Sequence, residues 1–356
     1  MKKSPFDEVS MQEIVHQIKG RQVALKKFPF LLRDEIIFPP QLNMEQSSSE
    51  KTAIYKSTLI SGKKFIDLTS GFGIDAYYLS QNFDDIVLVE QNTELLKIVE
   101  HNWSVLSKKA KFINLKLENF LEQNKEVFDV TYLDPARRDS SKNKVFLLED
   151  LSPNILEIQD HLLSISNKVV VKLSPLIDLK YLLSVLKNIS RIDIIALKNE
   201  VKEVVVFLTH DEPEKVMCHC INLDSGESDF VFQLGNEEFV HSEYSEPERF
   251  IYLPNNSILK AGAFNLISER FSLKKLHPNT HIYTSTEKIE GFPGRVMEME
   301  VIGNKQIKKK EQFNIISKNY PLKPDEIKKK YNLKDGGERY LIFTQSKKGK
   351  IILKSV

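Results

Sequence analysis

Two short stretches carry the residue types that can do chemistry: KFIDLTSGFGID, from Lys64 to Asp75, and DVTYLDPARRD, from Asp129 to Asp139. In the first, the apolar run Phe65, Ile66 and Leu68 is broken by two glycines, the pattern of a buried strand entering a tight turn. Gly71 and Gly73 can take positive φ and let a ligand approach the backbone, while the helix start that follows offers unpaired N–H groups. A cofactor can sit on that turn. One βα unit later, Ile86 to Asn92 reads as a second strand ending in Glu90, a carboxylate placed to accept hydrogen bonds from two ribose hydroxyls. In the second stretch an apolar strand stops at Asp134-Pro135. A carboxylate and an unpaired carbonyl therefore stand at the carboxyl edge of the same sheet, beside the turn. The Arg137 guanidinium can stack on a base or grip a phosphate with two hydrogen bonds. Lys172 follows three valines at the same edge, where it either contacts an acidic substrate group or snorkels to solvent.

The elements that must position these groups alternate. Strands are expected at Lys64 to Leu68, Ile86 to Glu90, Lys111 to Leu117, Asp129 to Leu133, Lys168 to Leu173, Ile192 to Leu197 and Val204 to Thr209, with helical patterns between most of them. That order predicts parallel βαβ units and a sheet covered on both faces. The last two strands are joined by only LysAsnGluValLysGlu, too brief for a crossover helix, so they should pair antiparallel. Upstream, Val9 to Ile18 and Val23 to Leu32 read as helical pieces ended by Phe38-Pro39-Pro40. Ser47 and Glu50 have the spacing of a capping box that opens a helix through Ala53, Ile54 and Leu59. Beyond Thr209 a hairpin of Val216 to Leu223 and Phe230 to Leu234 surrounds Asp224-Ser225-Gly226. An α+β region follows: strand Phe250 to Leu253, helix Ser257 to Phe271 with Gly262 inside it, and strand Ile282 to Thr286 after an HPNTH loop. Arg295 to Ile302, strand Phe313 to Ser317, helix Lys323 to Tyr331 and a terminal hairpin of Arg339 to Thr344 with Lys350 to Lys354 complete it, with Gly336-Gly337 as the turn before that hairpin.

Composition bounds the classes. At 356 residues, 41% hydrophobic and 28% charged, the chain reads as a soluble globular protein of two or three domains. It has no apolar run of the ~18 residues a membrane span needs, and MKKSPFDEVSM lacks a signal-peptide core, so a cytoplasmic protein is expected. Cys218 and Cys220 lie too close for a comfortable disulfide and are too few for a zinc site, so they are expected to be reduced thiols. His277, Asn279 and His281 are expected as loop hydrogen-bonders, and no metal site is expected. The net charge of +2 is unevenly spread, acidic from Asp211 to Glu248 and lysine-rich from Lys305 to Lys354. The lysines suit either a phosphate backbone or plain solvation.

The acidic-x-x-x-G-x-G pattern of Asp67, Gly71 and Gly73, read with Glu90, resembles the nucleoside site of class I methyltransferases that use S-adenosylmethionine. The resemblance implies that cofactor, held by Asp67, Thr69, Gly71, Gly73, Asp75 and Glu90, with Glu118 or Asn119 bonding the adenine amino group. A polar pair opening a helix would look the same. Ala76 stands where a dinucleotide fingerprint allows Gly or Ala, which keeps a dehydrogenase open on the turn alone. Asp67 argues against it, since a carboxylate there repels a pyrophosphate but suits the ammonium of a methionine moiety. Seven strands with an antiparallel hairpin at the end are the class I arrangement. The DPAR corner is similar to the D/N-P-P-Y/F/W loop of enzymes that methylate exocyclic amines and to the D-P-P-R loop of RNA uridine methyltransferases. That likeness implies a catalytic set of Asp134, the Pro135 carbonyl and Arg137, although the aromatic residue that stacks on a base is missing. The uridine enzymes also need a cysteine near the next strand end, and this chain has Lys172-Leu173-Ser174-Pro175, which argues against attack through a thiolate. Arg137 and Arg138 could instead form structural ion pairs with Asp139, Glu149 or Asp150.

The stretches YLPNNSILKAGAF, KKLHPNTHIYTS, GFPGRV, ISKNYPL and LKDGGERYLIF, together with EQSSSEKTAIYK and YLDPARRD, resemble a bacterial family in which a class I methyltransferase domain precedes ferredoxin-like and THUMP-like domains. The implied fold is α/β, with a Rossmann-like seven-stranded sheet and antiparallel last strand, followed by an α+β region. The implied layout is an N-terminal helical cap (1–50), the methyltransferase domain (51–210), the acidic hairpin with the ferredoxin-like domain (211–294) and the THUMP-like domain (295–356). Characterised THUMP domains dock RNA, usually transfer RNA. The resemblance therefore implies methylation of a base nitrogen in transfer or ribosomal RNA, with no DNA or membrane partner. The alternatives are a non-catalytic RNA-binding protein that keeps the fold, or a methyltransferase for protein or small molecules.

Overall fold

The computed structural model of the protein describes residues 9–137 and 146–356. The chain divides into two units, Met1–Asp193 with Lys202–Val216, and Ile194–Val201 with Met217–Val356. No helix among the described residues is long and apolar enough to cross a membrane.

The first unit opens with one helix, α1 (Met11–Lys27), where two pieces were expected. Ser10 caps it reciprocally: its hydroxyl accepts from the Glu13 N–H, and its own N–H donates to Glu13 Oε2. The helix runs through Gly20 because the chain returns across it, and a Cβ there would fall 2.3 Å from Phe38 Cβ. A short helix α2 (Gln41–Gln46) follows, then α3 (Glu50–Ser57). Ser49 caps α3 by accepting from the Thr52 N–H, so the cap is not the expected Ser47. The Ser47 hydroxyl is turned back to the Asn43 carbonyl, where it closes α2.

Strands β1 (Lys64–Asp67), β2 (Asp85–Val89), β3 (Lys111–Ile113), β4 (Phe128–Leu133), β5 (Ser166–Leu173), β6 (Ile189–Leu197) and β7 (Glu200–Thr209) lie in the order β6-β7-β5-β4-β1-β2-β3. The pairs from β5 through β4, β1 and β2 to β3 are parallel, and β7 is antiparallel to β5. Helices α4 (Ile74–Leu79), α5 (Thr93–Val105), α6 (Leu117–Gln123), α7 (Ile155–Ser164) and α8 (Leu179–Val185) fill the crossovers. Two boundaries moved. β3 ends at Ile113 because Leu117 is buried as the first residue of α6. The last four residues of the charged link expected between β6 and β7 are strand, and the chain is reversed by Lys198 (φ 50°) and Asn199 (φ 66°), both in the left-handed conformation that a two-residue hairpin requires.

In the second unit, β8 (Met217–Leu223) and β9 (Phe230–Gln233) pair antiparallel, and Cys218 and Cys220 are buried, unbridged thiols on β8. A separate sheet is built from β10 (Phe250–Pro254), β11 (Lys274–His277), β12 (Thr280–Ser285), β13 (Gly294–Ile302), β14 (Gln312–Ser317), β15 (Lys334–Ser346) and β16 (Gly349–Ser355), ordered β11-β12-β10-β13-β16-β15-β14. Its core joins Ile251, Leu253, Leu276, Ile282, Met299, Ile342 and Leu353. The single helix expected after β10 is two, α9 (Asn256–Ala261) and α10 (Phe264–Arg270), because Gly262 adopts φ 74° and caps the first. Gly336 and Gly337 are not a turn before the strand. They form a bulge inside β15, where pairing with β14 jumps from Phe313↔Asp335 to Asn314↔Tyr340. The HPNTH stretch spans the end of β11, a two-residue turn and the start of β12. His277 Nδ1 accepts from the Asn279 N–H, while His281 stacks on Phe264 at 3.5 Å, so the two imidazoles have different surroundings. A helix α11 (Pro324–Tyr331) covers β14 and β15 through Ile327.

Candidate active site

The two glycines of the first turn serve different needs. Both have positive φ, 51° at Gly71 and 76° at Gly73. A Cβ on Gly73 would lie 2.9 Å from Val99 Cγ1 and 3.1 Å from Trp103 Nε1, so its bareness is what lets α5 pack under the turn. A Cβ on Gly71 would meet nothing closer than the Thr69 carbonyl at 3.8 Å, which leaves that side of the turn open to a ligand. Glu90, one residue past β2, faces the turn directly. Its Oε2 accepts from the Gly71 N–H at 3.0 Å and its Oε1 from the Asn92 N–H at 2.8 Å, bonds that hold the carboxylate in place with lone pairs left for further donors. Asn114 donates to the Glu90 and Gln91 carbonyls and pins this loop. Sequence reading missed Asn114. Its signal was a lone polar residue at the carboxyl end of a strand.

The Asp-Pro corner stands against this turn. The Asp134 N–H donates to Thr69 Oγ1 at 2.7 Å, and the Leu68 N–H donates to the Tyr132 carbonyl. Asp67, beside Tyr132 in the β1–β4 register, is buried and accepts from the Thr69 N–H. Burial, reinforced by the charges of Asp75 and Asp134, pushes the Asp67 carboxyl well above the usual range, against the pull of its Thr69 bond. A cation brought to this corner would relieve that.

Behind the corner lies a cluster that sequence reading did not assemble. Asp75 is buried, and its oxygens are taken within the protein: Lys56 Nζ at 2.8 Å, Lys172 Nζ at 3.3 Å, and hydrogen bonds from the Tyr132 and Ser48 hydroxyls at 2.7 and 2.8 Å. Lys56 also reaches Glu203 Oε1 at 2.9 Å and Ser48 Oγ at 2.9 Å. Lys172 neither snorkels nor stands free. Its ammonium is 2.5 Å from Asp134 Oδ2 and 3.1 Å from Ser48 Oγ. Burial works against the Asp75 carboxylate, but Lys56 and Lys172 outweigh it and hold its pKa below the ordinary value. Burial likewise opposes the Lys172 ammonium, and Asp134, Asp75 and Glu203 overcome it, raising its pKa above that of a free lysine. Tyr132 stays a protonated donor, its pKa raised by burial and then by Asp75.

Topology explains the convergence. Leu133 pairs with Val171, so Asp134 and Lys172, the next residues, emerge side by side where β4 and β5 end. Because β7 is antiparallel, its early residue Glu203 reaches the same edge, next to the Leu173↔Val204 pair. Helix α3 then lays Lys56 across both. The remaining expected site residues are more peripheral. Pro135 is buried, whereas Arg137 is exposed in a two-residue ladder with Leu151 and Ser152. Glu118 and Asn119 are exposed on the first turn of α6. Arg138 and Asp139 lie outside the described residues. Among the described residues, no group of three or more His, Cys, Asp or Glu could hold a metal ion.

A glycine turn beside an acidic corner, on a largely parallel sheet with an antiparallel strand next to β5, defines the class I methyltransferase fold. Family models match three segments of the chain: conserved hypothetical protein 95 over residues 49–164, a ferredoxin-like domain over 250–293 and a THUMP domain-like segment over 295–354. In chain order, the conserved hypothetical protein 95 segment is thus followed by ferredoxin-like and THUMP domain-like segments. A protein of Porphyromonas gingivalis W83, provisionally described as a methyltransferase, is 29% identical, with a TM-score of 0.86 over 98% of this chain and 91% of that one. The tRNA (uracil-54, C5)-methyltransferase of Pyrococcus abyssi, solved with S-adenosyl-L-homocysteine, is 19% identical over 46% of this chain and 39% of that one, with a TM-score of 0.34. TrmK of M. capricolum, solved with the same compound, is 14% identical over 45% and 68%, with a TM-score of 0.35. Those last two are too remote to bear on activity. No curated protein matches the sequence.

Proposed function

We propose that the protein is an S-adenosylmethionine-dependent methyltransferase that acts on RNA. The observation that carries this reading is the bond from the Asp134 N–H to Thr69 Oγ1, which joins the cofactor turn to the Asp-Pro corner. A nucleoside over Gly71 would find Glu90 for its ribose hydroxyls, and a sulfonium cofactor would bring positive charge to buried Asp67. Such a cofactor supplies an activated methyl group. The protein's own part is to orient the acceptor, exclude water and take up the proton. Glu118 and Asn119, on the first turn of α6, remain the candidates for the adenine edge, and Arg137 for a base or phosphate. Support for RNA comes from the THUMP domain-like match. The sequence expectation of a base nitrogen as acceptor rests on Asp134 and the Pro135 carbonyl alone, and the ammonium bound to Asp134 speaks against it.

Titration calorimetry with S-adenosylhomocysteine tests the cofactor. The wild type should bind it, and Glu90→Ala should weaken binding by about 1–3 kcal/mol, the cost of losing a charged hydrogen-bond acceptor. Absence of binding by the wild type would overturn the reading. Methyl-labelled cofactor incubated with bulk RNA from a strain lacking the gene tests the substrate. Label found only in protein or small molecules would refute RNA.

A further inference from the structure

The charges packed around Asp134 bear on which atom receives the methyl group. Four side chains from four elements meet there: Lys56 of α3, Asp134 after β4, Lys172 of β5 and Glu203 of β7, with Asp75 and Ser48 between them. Asp134 is the member open to solvent, its side chain 35% accessible against 9% or less for Lys56, Asp75, Lys172 and Glu203. An incoming substrate therefore meets a carboxylate with an ammonium 2.5 Å behind it.

We propose that the acceptor is a hydroxyl oxygen, the 2′-hydroxyl of an RNA ribose, and that Asp134 and Lys172 act on it together as base and electrostatic partner. This rests on the methyltransferase reading above. A neutral nitrogen that attacks a sulfonium gains positive charge and needs no base before transfer, so a fixed ammonium at the corner would oppose it. A hydroxyl oxygen is a weak nucleophile until its proton departs, and it gains negative charge as that happens. A carboxylate and an ammonium side by side answer both needs. Lys172 is held charged by its three acidic neighbours, which leaves the base role to Asp134. The corner also lacks an aromatic residue after Pro135, the surface on which an extruded base would stack, and a ribose needs none. RNA carries the 2′-hydroxyl and DNA does not.

In the step itself, a lone pair on the 2′-oxygen forms a C–O bond to the methyl carbon as the C–S bond breaks. The C–S electron pair stays on sulfur, which passes from sulfonium to neutral thioether. The hydroxyl proton goes to Asp134 Oδ1, the oxygen not held by Lys172, and from there to solvent. Lys172 can exchange the longest of its contacts, 3.3 Å to Asp75, for the developing oxyanion. Lys56 and Glu203 are positioning residues that fix Asp75 and, through it, Lys172.

The test uses the full-length protein, methyl-tritiated cofactor and RNA from a strain lacking the gene, followed by complete alkaline hydrolysis. A 2′-O-methyl group blocks cleavage of the adjoining phosphodiester, so label should emerge in alkali-stable dinucleotides. Label on the base of mononucleotides would overturn this inference and leave the RNA methyltransferase reading intact. Unlabelled RNA, with S-adenosylhomocysteine binding retained, would overturn the RNA reading and this inference with it. Lys172→Met should lower kcat about 10²-fold with cofactor affinity within about threefold of wild type, and Lys172→Arg should restore part of the rate. If Lys172→Met does not fold, Lys172→Arg alone decides: a pH–rate profile and kcat identical to wild type would remove Lys172 from the chemistry.

Discussion

Replacing Lys56 with methionine tests whether the buried cluster is a coupled unit. The Lys56 side chain is 1% accessible, and its ammonium contacts Asp75 Oδ1 at 2.8 Å, both Glu203 oxygens at 2.9 and 3.0 Å, and Ser48 Oγ at 2.9 Å. Methionine keeps much of the volume and removes the charge. Asp75 would retain Lys172, Tyr132 and Ser48. Glu203 would keep the long 3.2 Å contact to the Ser48 hydroxyl, whose single proton it shares with Asp75, and the more distant charge of Lys172. The loss should therefore come mainly from one stranded buried carboxylate, about 3–5 kcal/mol. For a unit of roughly two hundred residues this lowers Tm by about 6–20 °C. Urea denaturation followed by fluorescence reads it cleanly, because Trp103 is the only tryptophan and lies buried in the first unit. Glu203→Leu added to Lys56→Met should give back part of the loss, with a coupling of about 2–3 kcal/mol, since the pair is then removed as a pair. A loss below about 1 kcal/mol in the single variant, or strictly additive losses in the double one, would refute the reasoning.

The glycines and the second unit supply further tests. Gly73→Ala should cost about 2–4 kcal/mol and shift Trp103 emission, because its Cβ lands 2.9 Å from Val99 and 3.1 Å from Trp103 at a φ of 76°. Gly71→Ala should cost only the ~1 kcal/mol of a left-handed non-glycine residue, yet weaken S-adenosylhomocysteine binding in calorimetry. Equal stabilities of the two variants would contradict the distinct roles. Burial, with Lys275 and Lys318 nearby, brings the His281 pKa down from 6.5 to about 4. The unfolded chain then binds a proton below pH 6.5 that the folded chain refuses until about pH 4, so stability present above 6.5 is lost as pH falls through that window. Discounted for its partial exposure, the loss should be about 1–2 kcal/mol. Circular dichroism during denaturation at pH 7 and pH 5 should show it in the wild type and much less in His281→Phe. A wild type equally stable at both would count against the shift.

What the sequence by itself determined was local. Apolar runs broken by glycine or by Asp-Pro mark where a strand stops, and so the turn at Gly71, the carboxylate at Glu90 and the corner at Asp134 were all legible. The antiparallel pairing of β6 and β7 could be read from a link too short for a crossover, although the strands run closer to the turn than their charged residues suggested. Ends set by competition between neighbours were not legible: Ser47 lost the α3 cap to Ser49 because it closes α2, and Gly262 divides a continuous apolar pattern by its backbone conformation alone.

Only the tertiary structure decided what surrounds Asp134. Ser48 and Glu203 bond across 155 positions of sequence, and Lys56 and Glu203 across 147. No periodicity links such residues. They meet because parallel strands deliver their carboxyl ends to one edge, an antiparallel strand brings its beginning there, and charges buried at that edge are stable only in each other's company.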